Sequence, residues 1–278
     1  MQKYYRDNYY QVEDGSYLLA YDEEELRYIR GQVAQRHRLM QHRGWLQQGP
    51  LSLLDVGCGE GHALHYFSSL GWNVRGLDFS VAGCTQMNPD CLPWLTQGDV
   101  FENLARLVEE GACYDVVMLD NVLEHVIDPP ALLQTLHRLV RPEGVLVVEV
   151  PNDFSRVQMT ALSSGWIDRA FWVCQPHHLS YFNAEGLQSL CCATGWSCSA
   201  LMSDFPIDWF LANPNSSYIV PETTGTGKGT TLGKGAHRAR IALENMMREA
   251  DPDGMNRLYE AMAGTGVGRS IIGFFKKS

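Results

Sequence analysis

Residues 53–61 read Leu53-Leu54-Asp55-Val56-Gly57-Cys58-Gly59-Glu60-Gly61. The apolar run predicts a buried parallel strand. The three alternate glycines let the backbone turn tightly beneath a ligand and then enter a helix. A dinucleotide-binding turn would need its third glycine at position 62, where this chain has His62. It would also avoid an acid at the strand end, because a pyrophosphate is repelled there. Asp55 suits instead a ligand that carries an ammonium group and no phosphate.

Outward from this turn, strands are expected at 51–56, 73–77, 95–98, 114–119 and 145–150. Helical patterns fall between them at 62–70, 80–87, 101–109 and 130–140, with Pro130 suited to a first turn and Gly71 and Gly111 to helix stops. Such alternation predicts an α/β fold, a doubly wound, Rossmann-like parallel sheet with helices on both faces. Before it, residues 1–50 form an N-terminal arm and helical cap, with a helical pattern over 21–46. Residues 151–182 break the alternation and are expected to be a lid or substrate insertion in a core spanning 51–203. A helix over 183–194 and a strand over 196–202 complete that core. Residues 204–268 are a second insertion, shaping a substrate pocket or an oligomer contact such as a homodimer. Within it, 221–235 reads as a mobile loop, and 236–249 and 255–263 read as helices. Residues 269–278 hold the final core strand. Gly227-Lys228 is not a phosphate loop, since Gly229 follows where Ser or Thr is needed.

The chain has 278 residues, 45% hydrophobic and 19% charged, enough for a large core without staples. A net charge of −10 argues against nucleic acid as a partner. The eight cysteines form no C-x-x-C pair and read as free thiols of a reducing, cytoplasmic setting. No 18-residue apolar run predicts a membrane span, and no apolar leader opens the chain.

Further acids stand at the strand ends. Asp78 closes the second strand, where a carboxylate can accept from both hydroxyls of a ribose or cap the next helix. Asp99, before Val100, can accept from an adenine amino group or serve as another N-cap. Asp120 and Asn121 end the fourth strand, at the edge where open α/β sheets bind ligands. Glu124 and His125 follow.

Asp55-x-Gly57-x-Gly59-x-Gly61, Asp78, Asp99, Leu123-Glu124-His125-Val126 and Arg141-Pro142-Glu143-Gly144 together resemble class I S-adenosylmethionine (SAM)-dependent methyltransferases. The resemblance covers residues 50–203 and implies a seven-stranded sheet, six strands parallel and one antiparallel, with 270–275 as the last antiparallel strand. It implies SAM as cofactor, with the loop from Gly57 to Gly61 under the methionine portion and Asp55 toward its ammonium. Asp78, beside Phe79, would hold the ribose, and Asp99 and Val100 the adenine; Asp120 and Asn121 complete the cofactor set. Leu123 to Val126 and residues 176–182 resemble bacterial sugar and surface-polysaccharide methyltransferases, and also quinone-pathway O-methyltransferases.

The expected function is therefore methyl transfer to a small molecule. A sugar or nucleotide-sugar hydroxyl is the first reading and a quinone-like phenol the second. A reductase and a SAM-binding protein without catalysis are competing readings. A hydroxyl acceptor needs a base, and histidine is the natural one. His37, His42, His65, His137 and His237 are expected on polar helix faces. His178 is the expected base and His125 an orienting pocket residue. His177, Tyr181 and Trp172 are expected to bind substrate, and no metal ligands show the required spacing. Trp166 and Trp209 also lie in the insertions. Tyr4, Tyr5, Tyr9 and Tyr10 are expected to form a lid over the cofactor.

Overall fold

A computed structural model of the protein describes residues 21–219 and 231–278. The tyrosine arm and Gly227-Lys228 lie outside the described residues. Helix α1 (Glu23–His42) opens on a capping box, in which the Asp22 carboxylate accepts from the Glu25 N–H and the Glu25 carboxylate accepts from the Asp22 N–H. Alternation then begins with β1 (Ser52–Val56), α2 (His62–Ser69), β2 (Asn73–Asp78), α3 (Ala82–Met87) and β3 (Leu95–Gln97). It continues with α4 (Val100–Glu109), β4 (Tyr114–Asp120), α5 (Pro129–Leu139) and β5 (Val140–Pro151). After α6 (Arg156–Ser163) and α7 (Ala184–Ala193) come β6 (Trp196–Ser203), α8 (Thr231–Ala250), α9 (Pro252–Gly264) and β7 (Ser270–Lys277).

The seven strands lie in the order β3-β2-β1-β4-β5-β7-β6. β1 pairs in parallel with β2 and β4, and β4 with β5. Among the described residues the one reversed strand is β7, which therefore makes two antiparallel pairings, with β5 and with β6. Successive side chains of each strand point to opposite faces, so both faces must be covered. Leu53, Val116, Met118, Val145, Val147, Ile272 and Phe274 face a core closed by α1, α2 and α9. Leu54, Val56, Val117, Leu119, Leu146 and Phe275 face the other, closed by α4, α5 and α7. Truncating a fully buried residue such as Leu54 to alanine would cost about 2–5 kcal/mol.

Gly76 shows how closely the layers meet. A Cβ there would lie 2.7 Å from Cys58 Sγ and Leu64 Cδ1, so β2 admits no side chain at that position. Trp196 is fully buried and donates its Nε1–H to the Leu133 carbonyl at 3.2 Å, tying β6 to α5.

The structure departs from the sequence reading in four places. Residues 156–163 form a helix that the sequence reading did not assign, held by a Ser155–Gln158 capping box inside the expected lid or substrate insertion. Helix α8 begins at Thr231, inside the expected mobile loop. His37 is buried rather than solvated: its Nδ1 lies 3.1 Å from the Tyr66 hydroxyl, and its ring packs edge-on against Tyr66, Phe67 and Trp72. His137 stacks edge-on against Trp196 at 5.0 Å. All eight cysteines are free, four of them buried. No helix among the described residues is long and apolar enough to cross a membrane.

Within residues 204–268, α9 packs on β6 and α8 on α1. This insertion thereby clamps the N-terminal helix over the strand ends, where the cavity opens.

Candidate active site

A cavity of about 490 Å³ lies over the C-terminal ends of β1, β2, β4 and β5. The floor is the glycine turn. Gly57, Gly59 and Gly61 have φ of 76°, 50° and 77°, the left-handed region that glycine adopts without strain. A Cβ on Gly57 would lie 2.4 Å from Val122 Cγ2, so the turn can nest under the next loop only without a side chain. Asp78 ties the turn to β2: its Oδ2 accepts from the Gly59 N–H at 2.8 Å and its Oδ1 from the Ser80 N–H at 2.9 Å. Burial raises the Asp78 pKa, and these backbone donors work against that rise.

Asp55 is buried at the cavity wall, and its pKa is raised well above the usual range, first by burial and then by Asp120 and Asp78. Asp99 caps α4 by accepting from the Glu102 N–H at 3.0 Å, and it lines the cavity with Val100 and Phe79. Asp120 and Asn121 line it as well. Every cofactor residue expected from the sequence except Gly61 therefore meets this one cavity.

Helix α1 supplies a wall that the sequence reading missed. Ile29, Gln32, Val33 and Arg36 line the cavity, as do Tyr21, Glu60 and Glu149. The Arg36 guanidinium bridges Asp120 and Glu149 in a buried pairing. Burial pushes Glu149 up to about 7, with Arg36 opposing the rise. The Tyr21 hydroxyl donates to Glu60 at 3.0 Å, and Glu60 also meets His62 Nε2 at 3.1 Å. The amphipathic spacing of α1 shows that one face is buried but not which strand ends it covers.

On the far side, Leu123–His125 form one turn of 3-10 helix after Asn121, whose φ is 53°. The Glu124 carbonyl accepts from the Leu179 and Ser180 N–H groups at 2.8 and 3.1 Å. His125 Nδ1 lies 2.8 Å from the His177 carbonyl. A carbonyl only accepts, so this nitrogen carries the proton, and in the neutral ring, which burial favours, Nε2 keeps its lone pair. His125 lines the cavity, whereas His177, His178, Tyr181 and Trp172 do not. The His178 ring meets His125 edge-on at 4.9 Å. Trp172 is fully buried in a satellite core with Ala161, Ile167 and Leu211, not laid open as a platform.

Burial also tunes these groups. Glu124 is raised to about 8, chiefly by desolvation. His178 is lowered to about 4, by desolvation first and then by His125 and Arg269, and burial lowers His125 as well. No ligand spacing is visible in the sequence, yet the fold gathers candidate ligand atoms of Glu124, His125 and His178 within 4.8 Å of one another, a set able to hold a cation.

The cofactor expected from the sequence suits these residues. Arg36 is already shared by two carboxylates, and among the described residues Asp55 and Asp78 are buried acids that make no ion pair of their own. SAM brings an ammonium and a sulfonium and no phosphate. Asp55 would meet the former, Asp78 the ribose, and Asp99 with Val100 the adenine.

Comparison with known proteins agrees. A ubiquinone biosynthesis O-methyltransferase of Methylobacterium nodulans is 30% identical over 161 residues, 55% of this chain and 63% of that protein. One from Maricaulis maris is 27% identical over 186 residues, 62% of this chain and 73% of the relative. The chain thus spans less than two thirds of the first relative's length. In fold it is similar to a SAM-dependent methyltransferase from Archaeoglobus fulgidus, with TM-score 0.51 and 19% identity over 89% of this chain and 94% of the other. It is also similar to a plantazolicin methyltransferase, with TM-score 0.53 and 16% identity over 92% and 87%. The methyltransferase domain family matches residues 21–201, from helix α1 through the glycine turn to β6, and the chain belongs to that family.

Proposed function

We propose that the protein moves a methyl group from SAM to a ring hydroxyl of a quinone-like phenol. The sugar acceptor, first in the sequence reading, has no support among the relatives, and the names of the first of them favour the phenol. SAM supplies an activated methyl group on a positively charged sulfur. The residues of this chain must hold it, exclude water and take the hydroxyl proton. The acid-lined cavity under α1 is the holding device, and α1 with its Arg36 anchor is the cover.

The observation that carries the chemistry is the His125 hydrogen bond to the His177 carbonyl. It fixes the ring with Nδ1 protonated and Nε2 as an acceptor, on a residue that lines the cavity. We therefore assign the base to His125. His178, packed behind it, becomes a positioning residue, which reverses the roles expected from the sequence.

The test is methyl transfer from radiolabelled SAM to 4-hexylphenol and 4-hexylcatechol. His125→Ala is expected to lower kcat by about 10²–10⁴-fold, the usual contribution of a general base. SAM affinity should remain unchanged, and His178→Ala should lose less. A His125→Ala rate within a few-fold of the parent, or no labelled product from either phenol, overturns the proposal.

A further inference from the structure

A second hollow, of about 510 Å³, lies outside the cofactor cavity. It runs between α2, the start of β2 and a 3-10 segment (Pro89–Trp94) that follows α3. Its volume falls within the range of small-molecule sites and is close to that of the cavity over the strand ends. The two share no lining residue, and methyl transfer makes no use of this groove.

Local structure holds the groove open. Helix α2 ends at Ser69, and Gly71, with φ of 79°, turns the chain toward β2. On the other side, Asn88 fixes the 3-10 segment to the back of the glycine turn. Its Nδ2 donates to the Glu60 carbonyl at 2.7 Å, and its own carbonyl accepts from the Cys91 N–H at 2.9 Å. Buried Cys91 and buried Trp72, whose ring lies 4.6 Å from that of Phe67, close the floor. Trp94 stands at the rim and is 40% exposed, which leaves an aromatic face for a ligand rather than for the core.

The polar groups restrict that ligand. The Ser68 hydroxyl donates to the His65 carbonyl at 3.0 Å, and the Ser69 hydroxyl donates to the Tyr66 carbonyl at 2.7 Å. A hydroxyl has one proton, so both oxygens can offer a ligand only lone pairs. Asp90 adds a carboxylate that makes no ion pair among the described residues. Its charge reaches the Cys91 thiol, whose pKa stands at about 11, raised first by burial and then by Cys84 and Asp90. No lysine or arginine lines the groove. A phosphate or carboxylate would meet repulsion and no cation. A cation that carries N–H donors would meet a carboxylate, two hydroxyl oxygens and the face of an indole, the aromatic ring that attracts cations best. The chain's net charge of −10 favours the same sign of ligand.

We propose that this groove is a second ligand site and that it takes an organic ammonium ion, with Asp90 as counter-charge and Trp94 as aromatic face. It stands behind the glycine turn, and it does not depend on which acceptor the cofactor cavity serves.

Calorimetric titration of the full chain with phenethylammonium tests it, with S-adenosylhomocysteine at saturation so that the cofactor cavity is filled. Saturable binding is expected, at least about tenfold tighter than that of 2-phenylethanol, which has the same ring and chain length but no charge. Tenfold is the scale of an exposed carboxylate contact and a cation–π contact together. Asp90→Asn should bring the two probes within about threefold, and Trp94→Leu should weaken the amine about threefold. Both positions are exposed, and both variants should keep the parent's affinity for S-adenosylhomocysteine. The proposal is overturned if phenethylammonium does not saturate, if the alcohol binds equally well, or if Asp90→Asn keeps the parent's preference. Binding seen only without S-adenosylhomocysteine would place the amine among the acids of the cofactor cavity and overturns it as well.

Discussion

The wall of the cavity and the polar cluster behind His125 are made in different ways. The wall that we assign to the cofactor comes from β1, β2, β3 and β4, and each of its polar residues sits at or just past a strand end: Asp55, the glycine turn, Asp78, Asp99 and Asp120. The polar cluster draws Glu124, Asp153, His178 and Arg269 from four separate segments, none of them lining the cavity, and backbone hydrogen bonds such as Leu179 N–H to the Glu124 carbonyl hold two of those segments together. A wall made from strand ends repeats wherever the sheet repeats. A cluster assembled from insertions can differ in every member of a family.

The cavity wall can be broken at the residue that braces its strand ends. Arg36 bridges Asp120, the last residue of β4, and Glu149, within β5. Arg36→Ala leaves the buried Glu149 and the part-buried Asp120 carboxylates without their shared cation and is expected to destabilise the fold by about 3–5 kcal/mol. Chemical denaturation reads this, and a triple variant that also carries Asp120→Asn and Glu149→Gln should recover much of it. A loss below about 1 kcal/mol for Arg36→Ala alone would mean that the strand ends are stable without this brace.

A smaller effect separates the wall from the cluster. Asp78→Ala removes the acceptor for the Gly59 and Ser80 N–H groups and the expected ribose contact. SAM affinity should fall by about 100-fold, or ~2.7 kcal/mol. Asp153→Asn should leave SAM affinity unchanged. Calorimetry on both variants sharpens the division, and equal losses would erase it.

The smallest effect lies in the packing beneath α1. Burial lowers the pKa of His37 below its ordinary value. The folded state then binds fewer protons than the unfolded chain, so the stability contributed by the neutral ring is complete above about pH 6.5 and is lost as pH falls through the window below it. His37→Phe should flatten the slope of denaturation midpoint against pH between 7.5 and 5.5. A parent slope that the variant retains would place the titrating group elsewhere.

Much of the cofactor wall was legible because strand-end chemistry is local. Leu53 to Gly61 contains both a strand and the turn that must follow it, and Asp78 and Asp99 recur at the same point of later repeats. Arg36 was not legible, because helical periodicity does not tell which strand ends a helix will cross. Nor was the fate of Trp172, since a tryptophan in an insertion can face a ligand or fill the insertion's own core. His125 and His178 were both visible as candidates, but their order was not: it depends on a carbonyl 52 residues away choosing which nitrogen holds the proton.

The sequence by itself determined the alternating α/β layers, the glycine turn and the line of acids that suits a cationic cofactor, because periodicity and strand-end residues act over a few positions. Only the tertiary structure decided that α1 roofs the cavity, that His125 rather than His178 meets it, and that Asp153 and Arg269 stand together. Those outcomes depend on which distant segments pack against each other, and that is set by the burial of whole faces rather than by any local pattern.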